Sequence, residues 1–229
     1  IAETKSLIMD YFGTIENNAG PNLKLDIVEP AIEETRYATE YDTNIQIPAY
    51  IFSYITPKSV EKDAYTLDYI SSILTGGNSS RMYKRMVDKD KVALQVLAFN
   101  QANQDYGTYT MGAIIKGEPN WDILKTTMDE EIKKLQTELI SEKEYQKLQN
   151  QFETNYVQAN SSVEGIASSL ATYHMLQGDA NRINKQLDIY RTITKEDIKR
   201  VASTYLNPNQ RVEIKYLSGT DPATDSTKQ

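Results

Sequence analysis

Apolar residues recur along this chain at two spacings, every second position and every third or fourth, and the switches between them mark out strands and helices. Residues 2–13 place Leu7, Ile8, Tyr11 and Phe12 at helical spacing, and Gly13 stands where a helix would end. The turn-forming stretch Asn17-Asn18-Ala19-Gly20-Pro21-Asn22 opens a polar segment, so residues 16–33 read as a linker and the folded body begins near Glu34. Residues 35–41 and 45–56 read as strands. In the second, Ile45, Ile47, Ala49, Ile51 and Ile55 share one face, Tyr50, Phe52 and Tyr54 share the other, and Pro48 predicts an edge position or a bulge.

Helical spacing then takes over. Ala64, Leu67, Ile70 and Leu74 form one stripe over residues 60–75, and a short helix over 80–89, capped by Asn78 or Ser79, follows the break at Gly76-Gly77. Residues 92–99 and 106–116 alternate as an antiparallel hairpin around the polar turn 100–105. A run of helices follows. Trp121, Leu124, Met128, Ile132, Leu135 and Leu139 mark the first, and Tyr145, Leu148, Phe152 and Tyr156 the second, with Ser141 and Glu144 as a capping box. Ser161 with Glu164 opens the third, which carries Val163, Ile166, Leu170 and His174; Ile183, Leu187 and Tyr190 belong to a shorter fourth. Thr194 caps the last helix with Asp197 three residues on. A final strand, 211–217, is expected to turn Val212, Ile214 and Tyr216 inward, and 218–229 form a polar, loose tail. This order predicts an α+β domain over 34–217, its mostly antiparallel sheet covered on one face by helices.

The chain's 229 residues, 39% of them hydrophobic, are enough for one sizeable core. A net charge of −7 argues against nucleic acid as a partner, since backbone phosphates are met by Lys and Arg. With no cysteine there are no disulfides, thiol nucleophiles or thiolate metal sites. No apolar stretch is long enough for a transmembrane helix, and Ile1-Ala2-Glu3-Thr4-Lys5 does not begin a signal peptide; the sequence reads as cut from something longer.

Candidate chemistry is sparse. His174 is the single histidine, has no partner at i±4, and reads as a core-edge residue with its ring nitrogens satisfied locally, because a zinc site needs three protein ligands and an open position. Asp129, Glu130 and Glu131 read as a solvated helix face, without the shared cleft that acid/base catalysis requires. Gly76-Gly77-Asn78-Ser79-Ser80 lacks the lysine and preceding strand of a phosphate loop, so it reads as a turn between helices.

The run Leu74-Thr75-Gly76-Gly77-Asn78-Ser79-Ser80-Arg81-Met82-Tyr83, followed by Val92-Ala93-Leu94-Gln95-Val96, resembles the second homologous domain of M16 zinc peptidases, the pitrilysin, insulinase and mitochondrial processing peptidase family. Pro48-Ala49-Tyr50-Ile51-Phe52-Ser53-Tyr54, Ile193-Thr194-Lys195-Glu196-Asp197-Ile198 and Tyr205-Leu206-Asn207-Pro208 are similar to further parts of that domain, in order and spacing. The resemblance implies an M16-type domain at 34–217, with residues 1–15 as the terminal helix of a preceding domain. It implies the non-zinc half of a zinc endopeptidase, forming one wall of a peptide-binding chamber. The inverted His-x-x-Glu-His zinc motif would lie in the N-terminal domain, so this chain alone would hold no cofactor, no metal and no catalytic residue, while the parent protein would hold zinc.

The same resemblance places the family's substrate-clamping arginine and tyrosine at Val87 and Leu94, neither of which can donate a hydrogen bond. Expected partners are therefore a peptide substrate, the chain's own N-terminal domain, and a second M16 subunit carrying the clamp. A reading from another class is a non-catalytic assembly or peptide-binding module akin to M16 core-protein subunits; a zinc motif upstream would separate the two. The lack of cysteine and of a leader agrees with a periplasmic parent.

Overall fold

The computed structural model describes residues 1–16 and 29–222, in two compact units, Ile1–Pro30 and Ala31–Gln229. The central part of the expected linker, 17–28, and most of the expected tail, 223–229, lie outside the described residues. In the first unit, helix α1 (Ala2–Phe12) ends at Gly13, which stays right-handed at φ −66° and donates its N–H to Met9 O. That glycine ends the helix without the left-handed turn typical of the position.

The second unit is built on a five-stranded sheet, with strands β1 (Arg36–Asp42), β2 (Ala49–Thr56), β3 (Ala93–Ala102), β4 (Gly107–Ile115) and β5 (Val212–Ser218) in the order β1-β5-β2-β4-β3. Only β1 and β5 run parallel, which makes this the mostly antiparallel α+β arrangement expected from the element order. β2 is shorter than its apolar pattern suggests: Ile45 and Ile47 precede it, and Pro48 stands just before its first residue. β2 is also a central strand. Pro48 is tolerated there because it lies outside the ladder, where its carbonyl still accepts from Ile115 N at 2.9 Å.

One face of the sheet carries Tyr50, Phe52, Tyr54, Tyr109, Met111, Ala113 and Ile115, all buried in the core. Helices α2 (Lys62–Thr75), α3 (Trp121–Thr137), α4 (Glu142–Ala159) and α7 (Lys195–Tyr205) close this core with Leu67, Ile70, Leu74, Leu124, Met128, Ile132, Leu148, Ile198 and Val201. Burying an aliphatic side chain of this kind contributes about 1.5–3 kcal/mol. Tyr69, Phe152 and Tyr190 stack at 4.5 and 4.7 Å between ring centroids, joining α2, α4 and the short helix α6 (Gln186–Arg191). Helix α5 (Val163–Gln177) has no buried residue and meets chiefly the 3-10 helix Ala180–Asn184.

The capping signals were obeyed unevenly. Thr194 and Asp197 form the complete reciprocal box at the start of α7. Ser141 accepts from Glu144 N at 3.2 Å, but the Glu144 carboxylate turns away to Arg81, so that box is half made. Helix α5 is capped by Ser162, one residue later than Ser161, through Gly165 N at 3.0 Å. The largest departure is at β5, where Glu213 and Arg211, the residue just before the strand, face the core while Val212, Ile214 and Tyr216 are half-buried on the opposite face.

Candidate functional site

The segment carrying Val87 and Leu94, the two positions that the resemblance assigns to the clamp, runs from the end of α2 to the edge strand β3. Gly76 N–H closes α2 on Ser72 O, and Gly77 takes φ +86°, a conformation that L side chains rarely adopt. Helical residues resume at Arg81 and become a π-helix over Tyr83–Lys89, ending where Asp90 N–H reaches back five residues to Arg85 O at 2.8 Å. Runs of this kind are rare and concentrate at functional sites. Lys91 then adopts φ 54°, and Val92 bonds to Met86 O and accepts from Lys116 N, both at 3.0 Å, which ties the π-helix to the sheet.

The two candidates sit in different surroundings. Val87 is half-buried against the core beside the buried Met82 and Met86. Leu94 lies at the register break of β3, where Ala93 pairs with Ile115 and Gln95 with Ile114, and it is 48% exposed. Here the π-helix and the bulge set an apolar side chain beside the outer backbone of an edge strand. Such a surface can accept extended peptide through main-chain hydrogen bonds and apolar contact, but it offers no side-chain donor for an oxyanion.

His174 is not at the edge of the core as expected but exposed near the end of α5, a helix with no buried residue, and its carbonyl accepts from Gly178 N. Among the described residues no three His, Cys, Asp or Glu side chains are grouped to hold a metal ion. The carboxylates of α3 form the solvated face expected of a charge run only at Glu130, which is exposed. Asp129 accepts from the buried Arg211, Glu130 lies 3.4 Å from Arg85, and Glu131 is buried and paired with Lys134 at 2.6 Å. The two acids withdrawn from solvent, Asp129 in part and Glu131 fully, each have a basic side chain in reach, as a buried charge requires.

The Arg211 cluster is the most elaborate polar feature of the core. Its guanidinium donates to Asp129, to Glu213 Oε1 at 2.6 and 2.9 Å and to Tyr54 Oη at 3.1 Å, and lies 3.6 Å above the Phe52 ring. Glu213 also accepts from Tyr50 Oη at 2.6 Å and Lys125 Nζ at 2.5 Å. Burial pushes the Glu213 carboxyl upward, but the hydrogen bonds from Lys125, Tyr50 and Arg211 outweigh it and hold the acid below its ordinary range. Because these charges are saturated by one another, the cluster joins β5, β2 and α3 and presents no reactive group.

Asp68 on α2 is different. Burial raises its carboxyl to about 7, opposed by a hydrogen bond from Tyr190 Oη at 3.0 Å. It lines a cavity of about 180 Å³ with Tyr65, Gln177 and Gln186.

With this geometry in hand, the chain belongs to the M16 peptidases: residues 1–152 match the family described as the peptidase M16 inactive domain. Among curated proteins it is 24% identical over 188 residues to the zinc protease PqqE of Helicobacter pylori, covering 81% of this chain and 42% of that protein. A crystal structure of a protease from Helicobacter pylori superposes with a TM-score of 0.83 at 20% identity, over 94% of this chain and 52% of the other. The peptidase M16 inactive domain from Pseudomonas fluorescens superposes with a TM-score of 0.71 at 15% identity, over 86% and 46%. The chain thus spans about half the length of these relatives.

Proposed function

We propose that this chain is the non-zinc half of a zinc-dependent endopeptidase and forms one wall of its peptide-binding chamber. The observation that carries this reading is the sheet face turned away from the helices. Its three central strands present Ala49, Ile51, Ser53 and Ile55, then Thr108, Thr110 and Ile114, then Val212, Ile214 and Tyr216, all half-buried and all uncharged. On a chain with 25% charged residues, a neutral surface of small apolar and hydroxyl groups suits unfolded peptide, which must be held without sequence-specific ion pairs. The edge strand β3 borders it and carries the exposed Leu94. Zinc and the catalytic base would come from the N-terminal half of the parent. The arginine and tyrosine that Val87 and Leu94 lack would come from a second M16 subunit.

The test mixes this chain with the zinc-bearing half and a clamp-bearing subunit and follows cleavage of an unstructured fluorogenic peptide. This chain alone should be silent, and the mixture should turn over. Ile51→Glu should reduce kcat/KM about tenfold, because a charge placed in an apolar contact surface loses 1–2 kcal/mol or more of binding. Turnover unchanged by Ile51→Glu would refute the wall assignment. Stable association without any turnover would favour the assembly module.

A further inference from the structure

Midway along α2, Asp68 is a half-buried acid with no base to answer it. Its Oδ2 accepts from Tyr190 Oη at 3.0 Å, and no lysine or arginine pairs with it among the described residues. The other oxygen, Oδ1, has no partner in the protein and stays open to a water-sized probe. Asp63, one turn earlier on the same helix, shows the contrast: Arg200 meets both its oxygens, at 2.5 and 2.9 Å, and holds its carboxyl below the ordinary range. A carboxylate withdrawn from water without a counter-charge is costly, and burial lifts Asp68 to about 7. Perturbed acids of this kind gather at functional sites.

The surroundings specify the chemistry of a missing partner. Asp68 is the only charged side chain lining the cavity of about 180 Å³, whose other walls include Ser59, Tyr65, Gln177, Gln186 and Tyr190. The Tyr65 and Tyr190 rings border it 5.2 Å apart at 85°, and aromatic rings beside an acid attract a cation. Sites that enclose a whole drug-sized ligand run to roughly 300–1,000 Å³, so this one suits a terminal group. Tyr190 already occupies Oδ2, which leaves one oxygen free. A guanidinium fork is best met by two oxygens, whereas an ammonium acts as a point charge and needs one.

We infer that this cavity binds a primary ammonium group, carried by a small free amine or by the lysine side chain of a peptide. The ammonium donates to Asp68 Oδ1 and lies beside Tyr65 and Tyr190, supplying the counter-charge that the fold withholds. A protonated Asp68 releases its proton to solvent when the cation binds. The site is separate from Val87 and Leu94 and does not depend on the endopeptidase reading.

Binding is therefore tied to the ionisation of Asp68. The titratable groups around it are phenols, Tyr65 on α2, Tyr190 on α6, Tyr173 on α5 and Tyr109 on β4, and burial raises Tyr109, Tyr173 and Tyr190 above the ordinary phenol range. Arg182 of the 3-10 helix donates to Tyr65 Oη at 3.1 Å, and no charged side chain shifts the Asp68 carboxyl. A lysine-type ammonium stays protonated up to about pH 10, so between pH 6 and 8 the acid alone changes charge.

The experiment titrates the 229-residue chain at pH 8 and constant ionic strength with n-butylammonium chloride, with a blocked five-residue peptide carrying one central lysine, and with its norleucine counterpart. Backbone amide shifts are followed at Asp68, Ala102 and Tyr190, with potassium chloride as control. Saturable shifts are expected with butylammonium. If the lysine peptide also gives them and the norleucine peptide does not, the source is a side chain; if the lysine peptide gives none, it is a free amine. Lowering the pH to 6 should weaken butylammonium binding about tenfold, as the carboxyl takes up its proton. Asp68→Asn should weaken it at least tenfold at pH 8 while melting no lower than wild type, which separates lost binding from lost structure. Shifts from butylammonium no larger than those from potassium, or an affinity unchanged by Asp68→Asn or by pH, would overturn the inference.

Discussion

Arg211 stands immediately before β5 and Glu213 two residues on within it, and Arg211 Nη2 donates to Glu213 Oε1 at 2.6 Å with both side chains closed off from solvent. Alternation puts residues i and i+2 on the same face, so this pair commits that face of β5 to the core and turns Val212, Ile214 and Tyr216 outward. A buried pair of this kind is satisfied only as a set.

Arg211→Met should therefore destabilise the fold by about 3–5 kcal/mol, because it strands Glu213 and Asp129 against the core with fewer donors. Changing Glu213 to Gln in the same background should recover part of that loss, since the uncompensated charge is then gone. Urea unfolding of the two variants checks this. Equal stability of Arg211→Met and wild type would mean that the cluster does not hold β5 to α3.

Much of the architecture was legible because local signals agreed with one another. The α2 stripe, the hairpin 92–116 and the Thr194–Asp197 box all rest on interactions between residues close in sequence. What could not be read was decided by distant partners. The inward face of β5 depends on Asp129, Tyr54 and Lys125, and the choice of Glu144 for Arg81 over its own helix end depends on a contact 63 residues away. The π-helix and the bulge at Leu94 insert single residues that a periodic pattern does not register, so the different settings of Val87 and Leu94 were hidden.

Asp68 and Glu213 give opposite dependences on pH. The folded carboxyl of Asp68 is raised from 3.8 to about 7, so the native state binds the extra proton between those values and stability falls as pH rises through that window. Glu213 is held below its ordinary 4.5, so its contribution is present above that value and fades as the solution is made more acid. Asp68→Asn should remove the first penalty. It should gain roughly 1–3 kcal/mol over wild type at pH 8 and little at pH 4, measured by denaturant titration at both values. A gain that is the same at both pH values would mean that the Asp68 carboxyl is not the titrating group.

The unit beginning at Ala31 contains the entire sheet and its covering helices. A chain shortened to residues 31–229 should fold by itself and melt within a few degrees of the 229-residue chain, by circular dichroism. A molten or insoluble product would show that residues 1–30 are needed to complete the core.

The last prediction concerns the two clamp positions, which the structure makes unequal. Leu94 is 48% exposed at a bulge, so Leu94→Tyr should change stability by no more than about 0.5 kcal/mol. Val87 is half-buried against the core, so Val87→Arg should cost about 1–3 kcal/mol through overpacking and charge desolvation. If a second subunit supplies the clamp in the assembled enzyme, neither Val87→Ala nor Leu94→Ala should lower kcat by more than a few-fold in protein that remains folded. Omitting that subunit should cost roughly a hundredfold or more, the usual consequence of losing an oxyanion donor. Assaying the parent protein with and without the second subunit provides the comparison. Robust turnover by the parent alone would rule out divided labour and leave Val87 and Leu94 as packing and surface residues with no clamp to replace.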